Sequence, residues 1–333
     1  MCVKRVTPLN DSQRNAVFTI AVGKPVYLEM ACALARSFRL WHRNCDIGFF
    51  LATDAVASAL PNDLRDLPLI PLTPGQYGRG FTPKLYLDKM APADHSLFID
   101  ADCLCVGSLQ PAFDAFAGRS VSVIGREISD GDWFGDVASI CRRFGVSAMP
   151  RFNGGAYYLE RGETSTLVYE TARSLLPRYD EIGFTLLRQA PNDEVLVSLA
   201  MALHGQRPIP EQGNLMNSLF AGPCGIELDV FKGIALLKNY KGDPRRNPWY
   251  EQEEHRPLVV HFLGGDIVEY PYGQEVRRLD LVFGRGWPAW LATLCVKATF
   301  SWPWLVRDRL KSLLRPLFHR FFGPRRVKAS ARL

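Results

Sequence analysis

The sequence predicts an α/β domain built on a mostly parallel sheet flanked by helices. Short apolar runs at 17–22, 47–52, 68–72, 96–99 and 121–125 read as buried strands. Helical spacing appears between them: Tyr27, Ala31, Leu34 and Phe38 share one face after Gly23-Lys24-Pro25, a turn with Pro in a helix-starting position. The chain has 333 residues, 47% hydrophobic and 22% charged, enough for one large domain with a sizeable core and unlike a disordered chain. Strands alternating with helices indicate a parallel sheet, and such sheets bind ligands outside the carboxyl ends of their strands.

The elements follow in order. The strand at 17–22 feeds the helix around Tyr27, and the strand at 47–52 ends at Thr53-Asp54. The strand at 96–99 ends in Asp100-Ala101-Asp102, with Cys103 and Cys105 in a strand extension. Residues 130–150 are polar and read as an irregular excursion over a site. Phe152-Asn153-Gly154-Gly155 leads into a strand at 156–160, residues 167–176 and 193–203 read as helices, and a late strand at 258–262 runs into His261-Phe262-Leu263-Gly264-Gly265. Neither internal repeats nor a low-complexity linker is visible.

The net charge of +6 is local in origin: residues 297–333 carry +9 and the remainder −3. A basic patch invites anionic partners, and only this tail offers one. The eight cysteines form no C-x-x-C pair or secreted-scaffold spacing, which reads as reduced cysteines in a cytosolic protein. Residues 1–15 are polar and lack the apolar region of a signal peptide.

An apolar strand ending in two carboxylates, Asp100 and Asp102, is costly if strand alternation points both the same way, unless a cation lies between them. A hard divalent ion with oxygen ligands resolves the repulsion and can bridge phosphates; solvated loop acids are the alternative. His261 also ends an apolar strand, as a ligand or as a structural histidine, and the glycines after it permit close approach of backbone to phosphate. Asn153 opens a turn whose amides can face a ligand, or is an ordinary Asn-Gly turn. Asp193 and Glu194 open a helix, where capping and the dipole would also favour them. Lys84 lies in a helix-like stretch, as a site residue or a solvated lysine.

The ordered set resembles the glycosyltransferase family 8 enzymes, the glycogenin-like group with the GT-A fold. The segments that carry it are FTIAVGKPVYLEMACALARSF at 18–38, TPKLYLDKM at 82–90, SLFIDADCLCVGSL at 96–109, RFNGGAYYLERG at 151–162, NDEVLVSLAM at 192–201 and VVHFLGG at 259–265. Together they span about residues 17–270, most of the chain. The resemblance implies Mn²⁺ or Mg²⁺ held by Asp100, Asp102 and His261, and a UDP-sugar donor. It places Ala21, Val22, Gly23 and Tyr27 at the uridine, and Lys84, Ala101, Gly154, Glu194 and Gly264 along the nucleotide-sugar. Asn153 then lies beside the donor sugar and Asp193 near the anomeric carbon, with Lys84, Asn153 and Asp193 as the catalytic set and retention of configuration. Two departures stand out. Glu194 replaces a frequent Gln, and no lysine follows Gly264, which leaves the pyrophosphate to Arg79 or another group.

In the tail, Leu310, Leu313, Leu314, Leu317, Phe318 and Phe321 form an apolar face, with Lys311, Arg315 and Arg320 off it and Trp287, Trp290, Trp302 and Trp304 before it. That is the pattern of a membrane-surface helix, with domain packing or dimerisation as alternatives. The expected organisation is a polar segment at 1–16, the transferase domain at 17–286 and the tail at 287–333. The expected partners are a glycan or lipid-linked acceptor and an anionic membrane on its cytoplasmic face, without nucleic acid. Competing readings are a nucleotidyltransferase, for which Gly23-Lys24-Pro25 is too short a signature, and a non-catalytic nucleotide-sugar-binding protein.

Overall fold

The computed structural model describes residues 14–43, 45–263 and 267–323. A six-stranded sheet forms the centre, in the order Leu69–Pro71, Ile47–Thr53, Asn15–Ala21, His95–Ile99, Ala156–Glu160 and Val121–Ser122. The first four strands are mutually parallel. Ala156–Glu160 runs against His95–Ile99 and against Val121–Ser122. The expected α/β class therefore holds, with one antiparallel strand inside an otherwise parallel sheet.

Alternation along the strands feeds two cores. Val17 faces one, with the helix Pro25–Trp41, while Ala16 and Phe18 face the other, with Glu163–Leu175 and Asp193–Leu203. The first helix starts at Pro25 after an extended Lys24, because a proline at the first helical turn loses no hydrogen bond. Its buried Arg36 is held by Asp63 at 2.8 Å and Asp280 at 3.2 Å, so a charge inside the packing is paired on both sides.

Three expectations change. The strand expected at 121–125 is two: Val121–Ser122 stays in the central sheet, while Ile124–Ile128 leaves it to pair with Met149–Phe152 and Ile209–Pro210. The excursion at 130–150 contains the helix Val137–Phe144, capped by the Asp136 side chain on the Ser139 amide and closed by a left-handed Gly145. Eight residues give too little periodicity to read, although both caps are legible. The third concerns the acids. Asp100-Ala101-Asp102 is a turn, closed by the Cys103 N–H on the Asp100 carbonyl at 3.1 Å, so alternation does not operate there.

Beyond that turn, Cys103–Cys105 enters a second, three-stranded sheet. It pairs antiparallel with Val259–His261, with Cys103 opposite His261, and Met216–Ser218 completes the sheet on the far side. A further antiparallel sheet of Gly225–Asp229, Ile234–Lys238 and Glu254–His255 lies in the second half.

After the helix Tyr272–Leu279, Ala292 and Val296 are buried, and buried Ser301 donates to Gln274 Oε1 at 2.7 Å. Trp304 stacks on Tyr270. From Leu305 to Phe322 every residue of the helix Trp302–Phe322 is exposed. No helix among the described residues is long and apolar enough to cross a membrane.

Phe98 sits under the acid turn with its ring edge-on to Phe18 at 5.5 Å and tilted against Tyr157 at 6.0 Å. Truncation of a fully buried aromatic leaves a cavity that packing refills only in part, so Phe98→Ala is expected to cost about 3–5 kcal/mol. Urea unfolding checks this; a loss under about 1 kcal/mol would mean that the layer beneath Asp100 repacks freely.

Candidate functional site

Parallel strands ending on one side bring Ala21, Thr53 and Ile99 to a common edge. There the Gly23 amide donates to the Asp54 carboxylate at 3.1 Å, with Gly23 at φ +83°, and Thr53 Oγ1 donates to the Ala21 carbonyl at 2.7 Å. Val22 and Tyr27 are half-buried beside this turn. Arg79 is exposed in the loop before the short helical segment Thr82–Tyr86, and its side chain makes no hydrogen bond or ion pair among the described residues.

The acid turn lies next along the edge. His261 Nε2 is 3.1 Å from Asp102 Oδ1 and 3.8 Å from Asp100 Oδ2. The Phe262 N–H donates to the Asp102 carbonyl at 3.0 Å, which ties the late strand to the turn. Ala101 points into the core between the two acids. Lys84 Nζ donates to Asp100 Oδ2 at 2.5 Å and to the Gly154 carbonyl at 2.9 Å.

The Asn153 segment supports this cluster from behind. Asn153 Oδ1 accepts from the Gly155 amide at 3.1 Å and meets His261 Nδ1 at 2.6 Å. An oxygen can only accept, so Nδ1 carries the hydrogen and Nε2 is left facing two carboxylates. A neutral imidazole would set a lone pair against those acids. Protonation resolves the conflict, and so does a cation between the three groups. Burial opposes charge on His261, but Asp102 outweighs it and the pKa is raised.

Both glycines have steric reasons. A Cβ on Gly155 would lie 2.6 Å from His261 Nδ1, and one on Gly154 2.9 Å from the Glu194 side chain. Their amides are committed to Asn153 and Glu194, and so do not face a ligand as the sequence alone allowed.

The helix Asp193–Leu203 is capped by Asn192, whose side chain accepts from the Glu194 amide at 3.0 Å. Capping therefore does not occupy the two acids. Asp193, buried, accepts from the Tyr157 hydroxyl; Glu194 accepts from the Gly154 amide at 2.6 Å. Tyr157, which sequence reasoning passed over, is fully buried and links the central sheet to Asp193.

Four carboxylates (Asp100, Asp102, Asp193 and Glu194) thus surround one lysine and one imidazole. Burial raises the Asp100 pKa, with Asp102 adding to it against Lys84. Burial works against the Lys84 charge, yet Asp100 and Asp193 outweigh it and its pKa is raised. The cluster is short of positive charge. The carboxylate oxygens and imidazole nitrogen suit a divalent cation. Cys103 Sγ lies in the same group with Asp102 and His261, and burial with the two aspartates pushes its pKa well up. Gly264, the remaining expected contact, lies outside the described residues.

A cleft of about 250 Å³ opens on the other side of Asn153, between the hairpin bearing Arg126 and Arg151 and the segment Trp249–Gln252. Its residues come from strands and loops far apart in the chain, and no local pattern marks them.

No family model matches this sequence, and no curated protein matches it. Solved structures similar to it include the galactosyltransferase LgtC in complex with donor and acceptor sugar analogues, at 15% identity and TM-score 0.47 over 85% of this chain and 95% of that one. The glycosyltransferase GlyE of Streptococcus pneumoniae TIGR4 is similar at 15% identity and TM-score 0.45, over 76% of this chain and 56% of that one. Mouse xyloside xylosyltransferase 1 is similar at 13% identity and TM-score 0.43, over 75% and 97%. With scores this low, the functional reading rests on the residues of the site itself.

Burial pushes the Glu194 carboxyl from 4.5 up to about 7, with Asp193 adding to the shift against the Gly154 amide. The folded chain therefore holds this proton more tightly than the unfolded one. The stabilisation is fully present below about pH 4.5 and is lost as pH rises through about 7. Glu194→Gln stays neutral and is expected to gain stability relative to wild type across that window. Urea unfolding at either end of it is the measurement; an unchanged difference between the two proteins would mean that Glu194 ionises normally.

Proposed function

We propose that the chain is a glycosyltransferase that moves a sugar from a UDP-sugar to a glycan or lipid-linked acceptor, with a divalent cation, Mn²⁺ or Mg²⁺, held by Asp100, Asp102 and His261. The observation that carries the reading is the convergence of these three groups, with the His261 tautomer set by Asn153 so that Nε2 faces the acids. The GT-A resemblance and its order of motifs support it.

A cation held there would supply positive charge to a departing diphosphate. The chain supplies the rest. Asp100, Asp102 and His261 would hold the cation, and Asn153 orients the imidazole. Lys84, anchored on Asp100 and Gly154, adds a second positive charge facing the leaving group. Asp193, fixed by Tyr157, is the negative charge for a sugar carbon that becomes oxocarbenium-like. Retention of configuration belongs to this reading through the resemblance. The departure that favours a non-catalytic protein, the lack of a lysine after Gly264, falls where the residues are not described.

Donor hydrolysis is expected to require Mn²⁺ or Mg²⁺ and to fall at least about 100-fold in Asp102→Asn, the scale on which electrostatic stabilisation of a leaving group acts. Unchanged turnover in metal-free buffer would remove the cation from the mechanism.

The tail, from about Trp287 onward, is the membrane-surface part of the same proposal and would place the enzyme at the cytoplasmic face. Among the described residues nothing covers the apolar side of its helix beyond Trp304: Leu313 is 71% and Phe321 75% exposed. Lys311, Arg315 and Arg320 accompany that face, and each basic residue near an anionic surface adds about 1 kcal/mol. Deleting residues 305–333, which leaves the Tyr270–Trp304 stack intact, is expected to abolish co-sedimentation with anionic liposomes while donor hydrolysis persists. Equal pelleting of both forms would assign the helix to a protein contact.

A further inference from the structure

The hairpin strands Ile124–Ile128 and Met149–Phe152 set Arg126 directly opposite Arg151. Like charges in that position repel. Here the Trp249 indole separates them, with each guanidinium carbon 3.6 Å from the ring centroid. Two groups that close over one face would overlap, so the guanidiniums occupy opposite faces, each stacked as a cation on an aromatic plane. Stacking fixes the plane of a guanidinium and leaves its N–H edge free for in-plane, bidentate contacts.

The two arginines are balanced differently. Arg126 has Glu251 at 3.6 Å. The Arg151 side chain has no ion pair and no hydrogen bond among the described residues, although it is half-buried and lines the cleft. Burial and the neighbouring Arg126 both work against its charge. Glu194 and Asp132 favour its charge from beyond ion-pair distance; Glu194 is held by the Gly154 amide, and Glu211 in the cleft wall accepts from Asn217 Nδ2 at 2.9 Å. A partly desolvated guanidinium, locked in orientation and without a direct ion pair, therefore borders a cavity that Asn153 also lines. Asn153 is the residue bonded to His261, so this cavity adjoins the proposed donor site.

We propose that this cleft is the acceptor subsite and that Arg151 selects an acceptor bearing an anionic group, a sugar carboxylate or a sugar phosphate. The reading of the cleft as an acceptor subsite rests on the glycosyltransferase proposal; the preference of the cleft for an anion rests on Arg151 alone.

Calorimetry on the full chain, with Mn²⁺ and UDP present, tests this using methyl β-D-glucopyranoside, methyl β-D-glucuronide and glucose 6-phosphate. At least one charged probe is expected to bind about tenfold or more tightly than the neutral one, a difference of about 1.4 kcal/mol. The preference should vanish in Arg151→Gln and persist in part in Arg151→Lys, which keeps the charge if the glutamine variant fails to fold. The better of the two charged probes distinguishes carboxylate from phosphate. Equal affinity for charged and neutral probes, no binding of either, or a preference that survives in Arg151→Gln overturns the proposal. A parallel titration of UDP with Mn²⁺ separates the two readings: its failure in the wild type removes the donor site, while charge selection by the cleft would still stand.

Discussion

The site depends on one change of direction. At Asp100 the chain stops being a strand of the central sheet, closes a turn on the Cys103 amide, and re-emerges as a strand of another sheet. That second sheet brings in Val259–His261, so a histidine about 160 residues later in the sequence meets Asp102. Straightening the turn would send Asp102 along the sheet and leave His261 without its acids. The Phe262 amide on the Asp102 carbonyl holds the two pieces in register.

The second constraint is charge. Folding gathers more carboxylates than cations into a buried edge, which is unfavourable unless something else binds or the acids take up protons. Glu194 takes the second route, with its pKa pushed up to about 7. Lys84 and His261 favour the ionised form of Asp100, but burial and Asp102 still raise its pKa.

Much of this was legible. Asp100, Asp102 and His261 follow apolar runs, Asn153 opens a turn and Asp193 a helix, so local pattern marked them as candidates, and the family resemblance grouped them into the one site where the fold brings them together. Alternation failed at the acids because their juxtaposition comes from a turn. The helix Val137–Phe144 and the short strands of the second half are too brief for periodicity to rise above noise. Tyr157, Arg151, Arg126 and Trp249 were invisible because their roles exist only through distant partners: an arginine on a strand looks solvated until an indole from another loop lies across it.

The paired glycines at 154 and 155 carry an implication for how this sequence can drift. The volume a side chain would occupy at 155 is already filled by the His261 ring and the Met216 methyl, and that at 154 by Glu194 and the Tyr157 hydroxyl. Each position is thus coupled to a residue on a different element, one on the late strand and one on the helix. A single substitution at 155 displaces an imidazole, and a single substitution at 154 displaces a carboxylate. Divergence at this corner must therefore proceed by coupled replacements. Among descendants of this chain, any residue other than glycine at 155 should be accompanied by changes at 261 and 216 that make room for it.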